Sequence, residues 1–200
     1  MDKVATVLKL RKIFNMGYIP SRGNQSYSFV CKNDQATFAQ HVNCLAHALF
    51  NLTNQQIEDE HFNYNDRLSF SCCFYTPREN YVKQAEQNII TFVETSGLKM
   101  RPLNTYELLS EHPELLQENQ WIVAMYYIAK QNKQDIHFFL REKDGRWSGK
   151  LGFRDEITYF DELPAPYYST NKDRDVYFFY NTYLITNPNK IKEMGDEKEI

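Results

Sequence analysis

From Trp121 onward the chain runs through three segments, "WIVAMYYIAK", "DIHFFLREK" and "GRWSGKLG", dense in aromatic and β-branched residues and separated by polar turns. Such residues fit a pleated, half-buried surface, so the block reads as an antiparallel meander. Asp144-Gly145, between the second and third segments, is the strongest hairpin signal in the chain. "DVYFFYNTYLIT", Asp175 to Thr186, predicts one more long strand. The aromatic share of 15%, with 14 Tyr and 14 Phe, belongs to this sheet-rich core.

Helical patterns precede the sheet. Leu45, Ala46, Ala48, Leu49 and Leu52 recur at helical spacing after Asn43, a good N-cap residue, so a helix is expected to begin at Cys44. In "ENYVKQAEQNIITFVETSG" the residues Val82, Ala85, Ile89, Phe92 and Val93 share one face, and Gly97 stands where a helix C′ glycine is expected. Leu68, Phe70, Cys72 and Phe74 alternate as in a strand closed by Pro77, and a short helix is broken at Pro113. Helices first and a sheet later make an α+β chain. Its 200 residues suit one domain, over 43–187, with an N-terminal extension over 1–42 and a polar tail over 188–200.

A formal charge of -3 gives no global positive field for nucleic acid. The charged N-terminus lacks the apolar run of a secretion signal, and 18 apolar residues never run together, so no membrane span is expected. Cys31, Cys44, Cys72 and Cys73 show no disulfide framework, which fits reduced thiols and a cytoplasmic location. No cofactor motif is present; in particular, no Gly-rich loop precedes a helix.

Cys44 at a helix start is placed where unsatisfied N–H groups and the helix dipole favour a thiolate. His137 lies far downstream on a predicted strand, and a cysteine helix followed by a histidine strand is the order of papain-like hydrolases. In that chemistry the imidazole takes the thiol proton, the thiolate attacks a carbonyl carbon and N–H groups hold the oxyanion. Core filling is the competing role for Cys44, since a free cysteine packs as a small hydrophobe. Metal binding would draw on His41, Cys44, His47, Cys72 and Cys73, but no Cys-x-x-Cys element or zinc spacing occurs, so no metal is expected.

"DIHFFLREKDGRWSGKLG", Asp135 through Gly152, resembles a bacterial and phage family with a Tyr-His-Phe-Tyr strand followed by an Asp-Gly-Thr-Trp-Ser-His-Lys-Pro-Gly hairpin. In that family the histidine segment lies downstream of an Asn-Cys helix. Asn43-Cys44 matches the dipeptide, His137-Phe138 the strand, and Asp144, Gly145, Trp147, Ser148, Lys150 and Gly152 the hairpin; "YFFYNTYLIT" resembles the family's closing strand. The chain departs at Gly149, where the family has histidine, and at Leu151, where it has proline. The resemblance implies a papain-like α+β domain with Cys44 as nucleophile and His137 as general base, acting on an amide, ester or thioester carbonyl of a protein or small acyl substrate. Asp155 leads Asp161 and Asp135 as the group orienting the imidazole. Gln40 is the available oxyanion amide.

A basic and aromatic cluster, Lys3, Lys9, Arg11, Lys12, Tyr18 and Arg22, suits single-stranded nucleic acid, and Lys143, Arg146, Lys150 and Arg154 add a second basic set around the hairpin. In overall character the chain resembles small acidic anti-CRISPR and other counter-defence proteins. That likeness implies a module that binds or cleaves guide RNA, or blocks an effector complex, on the same scaffold. An RNase on that scaffold would use the histidine as acid or base.

Overall fold

A computed structural model of the chain describes residues 8, 11–12, 44–50, 81–103, 109, 111–128, 135–150, 157–168 and 175–189. The Asn43 cap, the strand expected around Phe70, and nearly all of the expected extension and tail lie outside these residues.

Ahead of the sheet the described residues include the helices α1 (Cys44–Phe50) and α2 (Tyr81–Thr95). In α2 the residues Ala85, Ile89 and Val93, four apart, form the buried stripe. The helix ends as its sequence predicts: Gly97 takes φ 94°, its N–H bonds to Glu94 O (3.0 Å), and Leu98 N–H bonds to Val93 O (3.2 Å). This is the Schellman closure, with Leu98 and Val93 both in the core.

The described residues also form seven strands: β1 (Lys99–Pro102), β2 (Gln120–Ile128), β3 (Ile136–Arg141), β4 (Trp147–Lys150), β5 (Ile157–Phe160), β6 (Tyr167–Tyr168) and β7 (Val176–Thr186). They make one antiparallel sheet in the order β1-β7-β2-β3-β4-β5, with β6 also paired to β7. The chain is therefore α+β, and β2, β3 and β4 are the expected meander. The turn at Asp144-Gly145 is the loop 143–145, in which Gly145 takes φ 90° and bonds to Glu142 O (3.1 Å), while Glu142 N–H bonds to Arg146 O (2.8 Å). That matches a type I turn followed by a left-handed glycine.

Each sheet face carries its own core. Trp121, Val123, Met125, Phe138 and Leu140 face α1 and α2. On the opposite face Ile122, Ala124, Tyr126, Phe139 and Trp147 pack under Leu103, Leu109, Leu116 and Leu163. No described helix is long and apolar enough to cross a membrane.

Candidate functional site: the β3 edge and its two faces

Folding brings Cys44 to β3, as the order of the elements predicts, but not to the imidazole. The thiol donates to Ile136 O at 3.8 Å, and the Phe138 and Leu45 amides also act on the sulfur. Asp135 O is taken by Ile128 N–H of β2 (3.1 Å), so strand alternation aims Ile136 O away from β2. On that outer side β3 pairs with β4 from Phe139↔Gly149 onward, and β4 ends at Lys150. Cys44 thus lies against the stretch of the β3 edge that, among the described residues, β4 does not pair with.

His137 leaves the same main chain on the other side. It is paired with Tyr126 across β2, and both belong to the face away from the helices. Its ring stacks on Tyr167 (centroids 5.1 Å, 11° between planes) and lies 4.8 Å from Phe139 and 5.5 Å from Tyr177. Ile136 and Phe138, its neighbours in sequence, are the residues that join Cys44 in the helix-face core. The backbone of β3 therefore stands between thiol and imidazole, and the expected dyad is not assembled.

The electrostatics agree. Burial pushes the Cys44 thiol up to about 12, and the nearby Asp135 carboxylate adds to the shift; the Phe138 and Leu45 amides and Lys150 oppose it more weakly. Desolvation overrides the stabilisation expected at a helix start, so this cysteine is a thiol and not a thiolate at neutral pH. Burial also lowers His137 to about 3, which holds its ring neutral. Among the described residues no hydrogen bond reaches its buried Nε2.

Of the groups expected to orient the imidazole, Asp135 accepts from Ile136 N–H (2.9 Å) and the Tyr177 hydroxyl (2.7 Å), so its carboxylate holds the strand entrance. Asp161 is exposed and acts on Arg146 at the hairpin. Asp155 and Gln40 lie outside the described residues.

Sequence reasoning missed a second buried polar group beneath α1. His47 Nε2 lies 2.9 Å from Ser148 Oγ, and the Ser148 hydroxyl donates to Glu142 Oε1. Because that single proton goes to the carboxylate, the imidazole must donate, which fixes the Nε2–H tautomer. Burial, with Lys150 and His137 nearby, lowers His47 to about 3. Serine stands between histidine and glutamate here, so the imidazole accepts no proton from the hydroxyl and the order is not that of a nucleophile triad. The cluster ties α1 to β4.

The second basic set is corrected at its centre. Lys150, expected as an RNA contact, has 0% exposure, because β4 is covered by β3, β5 and α1. Arg146 is held by Asp144 (2.7 Å) and lies 4.7 Å over the Tyr159 ring. Lys143, Arg11 and Lys12 are exposed; Arg154 and Lys9 lie outside the described residues. Among the described residues no three His, Cys, Asp or Glu side chains are grouped to hold a metal.

No protein-family model matches the chain, and no curated protein matches it either. The site therefore rests on its own geometry. That geometry adds one feature the sequence reading passed over: Phe178 and Phe179 are each 43% exposed and Tyr168 62%. The signal was present in "YFFY", since four consecutive aromatics on a strand with alternating faces exceed what one core side accepts.

Proposed function

We propose that this chain is a protein-binding module of the counter-defence type, built on a papain-like scaffold, that blocks an effector protein by occupying its surface. The observation that carries the reading is the separation of Cys44 and His137 by the main chain of β3. Turning the imidazole toward the thiol requires a one-residue slip of β3, which would carry Ile136, Phe138 and Leu140 out of the helix-face core. A protein partner is favoured over RNA by the burial of Lys150 and the pairing of Arg146 with Asp144, which withdraw two cations from the second basic set. The exposed aromatics of β6 and β7 suit a protein interface, and a nucleic acid would need cations along a backbone track beside them.

The test is interference by a CRISPR effector in cells expressing the chain. Cys44→Ser keeps a hydroxyl donor for Ile136 O and removes the thiol; it is expected to inhibit as the parent does, and so is Lys143→Glu. Loss of inhibition in Cys44→Ser with an unchanged melting temperature would overturn the reading.

A hydrolase reading keeps one supporting observation, the thiol's place beside the His137 main chain. It demands a thiolate, so native protein would be alkylated by iodoacetamide at Cys44 at pH 7.5. With the thiol raised to about 12, peptide mapping is expected to find Cys44 labelled only after denaturation.

A further inference from the structure

Among the described residues, the outer edge of β7 is lined in two places and bare between them. β1 covers residues 183–186 and β6 covers 176–177. Leu103 extends the first stretch by one residue, with its N–H on Thr182 O (2.9 Å). Phe178, Phe179, Tyr180 and Asn181 have β2 on their inner side and, among the described residues, no strand on the outer one. Because β1 and β6 both run antiparallel to β7, they lie on one line, interrupted for the length of 178–181, about 13 Å at ~3.3 Å per residue. The register of β7 with β2 also shifts here, between Met125↔Asn181 and Tyr126↔Phe179, which leaves Tyr180 as the extra residue of a bulge.

An open strand edge presents N–H and C=O groups at alternate residues and is a template for another extended chain. The two exposed phenylalanines frame this one from both sides. Phe178 packs on the helix face beside Tyr127 (6.2 Å), and Phe179 on the opposite face beside Tyr126 (5.7 Å).

We propose that this notch receives an extended segment of the partner protein by strand addition, completing the line between β1 and β6. The segment is about four residues long where it pairs and carries apolar side chains on both faces, one set against Phe178 and the other against Phe179. Main-chain pairing selects an extended peptide over a helix or a nucleic acid. A second copy does not fit notch to notch, because its own notch is recessed between the same two flanking strands and two such notches cannot reach each other. The inference rests on the protein-binding reading and names where and how the partner is held.

A phage-displayed library of random nonapeptides, selected on the full chain, tests it. Enriched sequences are expected to hold runs of apolar residues, to shift the amide resonances of 177–182, and to bind the Phe178→Lys, Phe179→Lys double variant at least tenfold more weakly. Circular dichroism melting controls for the fold of that variant, and the single Phe179→Lys variant is the fallback. Undiminished binding to a folded variant, shifts confined to other residues, no enrichment, or a parent dimer that the double variant dissolves would each overturn the proposal. If the double variant still inhibits the effector, the docking edge is wrong while the binding reading stands; if Cys44→Ser loses inhibition, that reading fails first.

Discussion

At the scale of single residues, Gly149 is set by the ring it meets across β3. A Cβ on Gly149 would lie 2.5 Å from Phe139 Cε1, so the close seat of that ring requires glycine. Gly149→Ala is expected to destabilise by about 1–3 kcal/mol, the usual range for overpacking, read from urea midpoints. His137 presents the reverse case. Its Nε2 is buried without a hydrogen bond, so His137→Phe, which keeps the stacking on Tyr167, should stabilise by about 1 kcal/mol. A catalytic role for His137 would instead require the imidazole for activity. The sequence placed Cys44 and His137 at the same strand, but it could not tell which way the imidazole points. In "DIHFFL" both alternating sets, Ile136, Phe138 and Leu140 against His137 and Phe139, are fit for burial. With a core on each face, no polar and apolar alternation marks the helix side. Lys150 was misplaced for a related reason, since a lysine reads as exposed wherever its strand's neighbours are unknown.

Elements with local causes were legible. The apolar stripe and C′ glycine of α2, the Asp144-Gly145 turn and the meander each follow from nearby residues. Gly97→Ala puts an L-residue at φ 94° and is expected to lower stability by about 1–2 kcal/mol, checked by the same denaturation curves. β1, β5 and β6 were not legible. "KMRP" buries only Met100 and contains a proline, and it becomes a strand because β7 offers it an edge from Lys99↔Thr186 to Pro102↔Tyr183. β6 is two residues long, shorter than any period that a pattern can reveal. α1, seven residues, is too short to stand on propensity and is held by packing and by His47 on Ser148. Ser148→Ala removes the hydroxyl that accepts from His47 and donates to Glu142, and an expected loss of about 1–3 kcal/mol would show as a lower urea midpoint.

For the whole molecule, the buried titratable groups define a pH window. His47 and His137 are lowered from 6.5 to about 3 in the fold, so their neutral forms favour folding. That stability is fully present above pH 6.5 and is lost as the pH falls toward 3, because the unfolded chain takes up two protons that the folded one refuses. The slope approaches about 2.7 kcal/mol per pH unit, twice the value for one group. The Cys44 thiol, raised from 9.0 to about 12, acts oppositely: its contribution holds below pH 9 and disappears as the pH rises toward 12. Tyr177 and Tyr183, also raised by burial and neighbouring carboxylates, reinforce the alkaline limit. Unfolding free energies from urea curves at pH 5, 6, 7 and 8 should be largest at the last two, and His47→Gln, which keeps a donor for Ser148, should halve the acid slope.

The position of β7 bears on how the chain is made. The strand formed from the latest part of the described sequence lies between β1 and β2, among the earlier ones. While it is still being synthesised, β1 has no strand to join it to the meander, and the aromatic-rich edge of β2 that β7 covers stands open. Contacts between residues as far apart as Lys99 and Thr186 slow collapse to the native topology. A nascent chain stopped before Val176 would lack the middle of its sheet and not a dispensable edge, so the interval before β7 emerges is the one in which chaperone protection counts most.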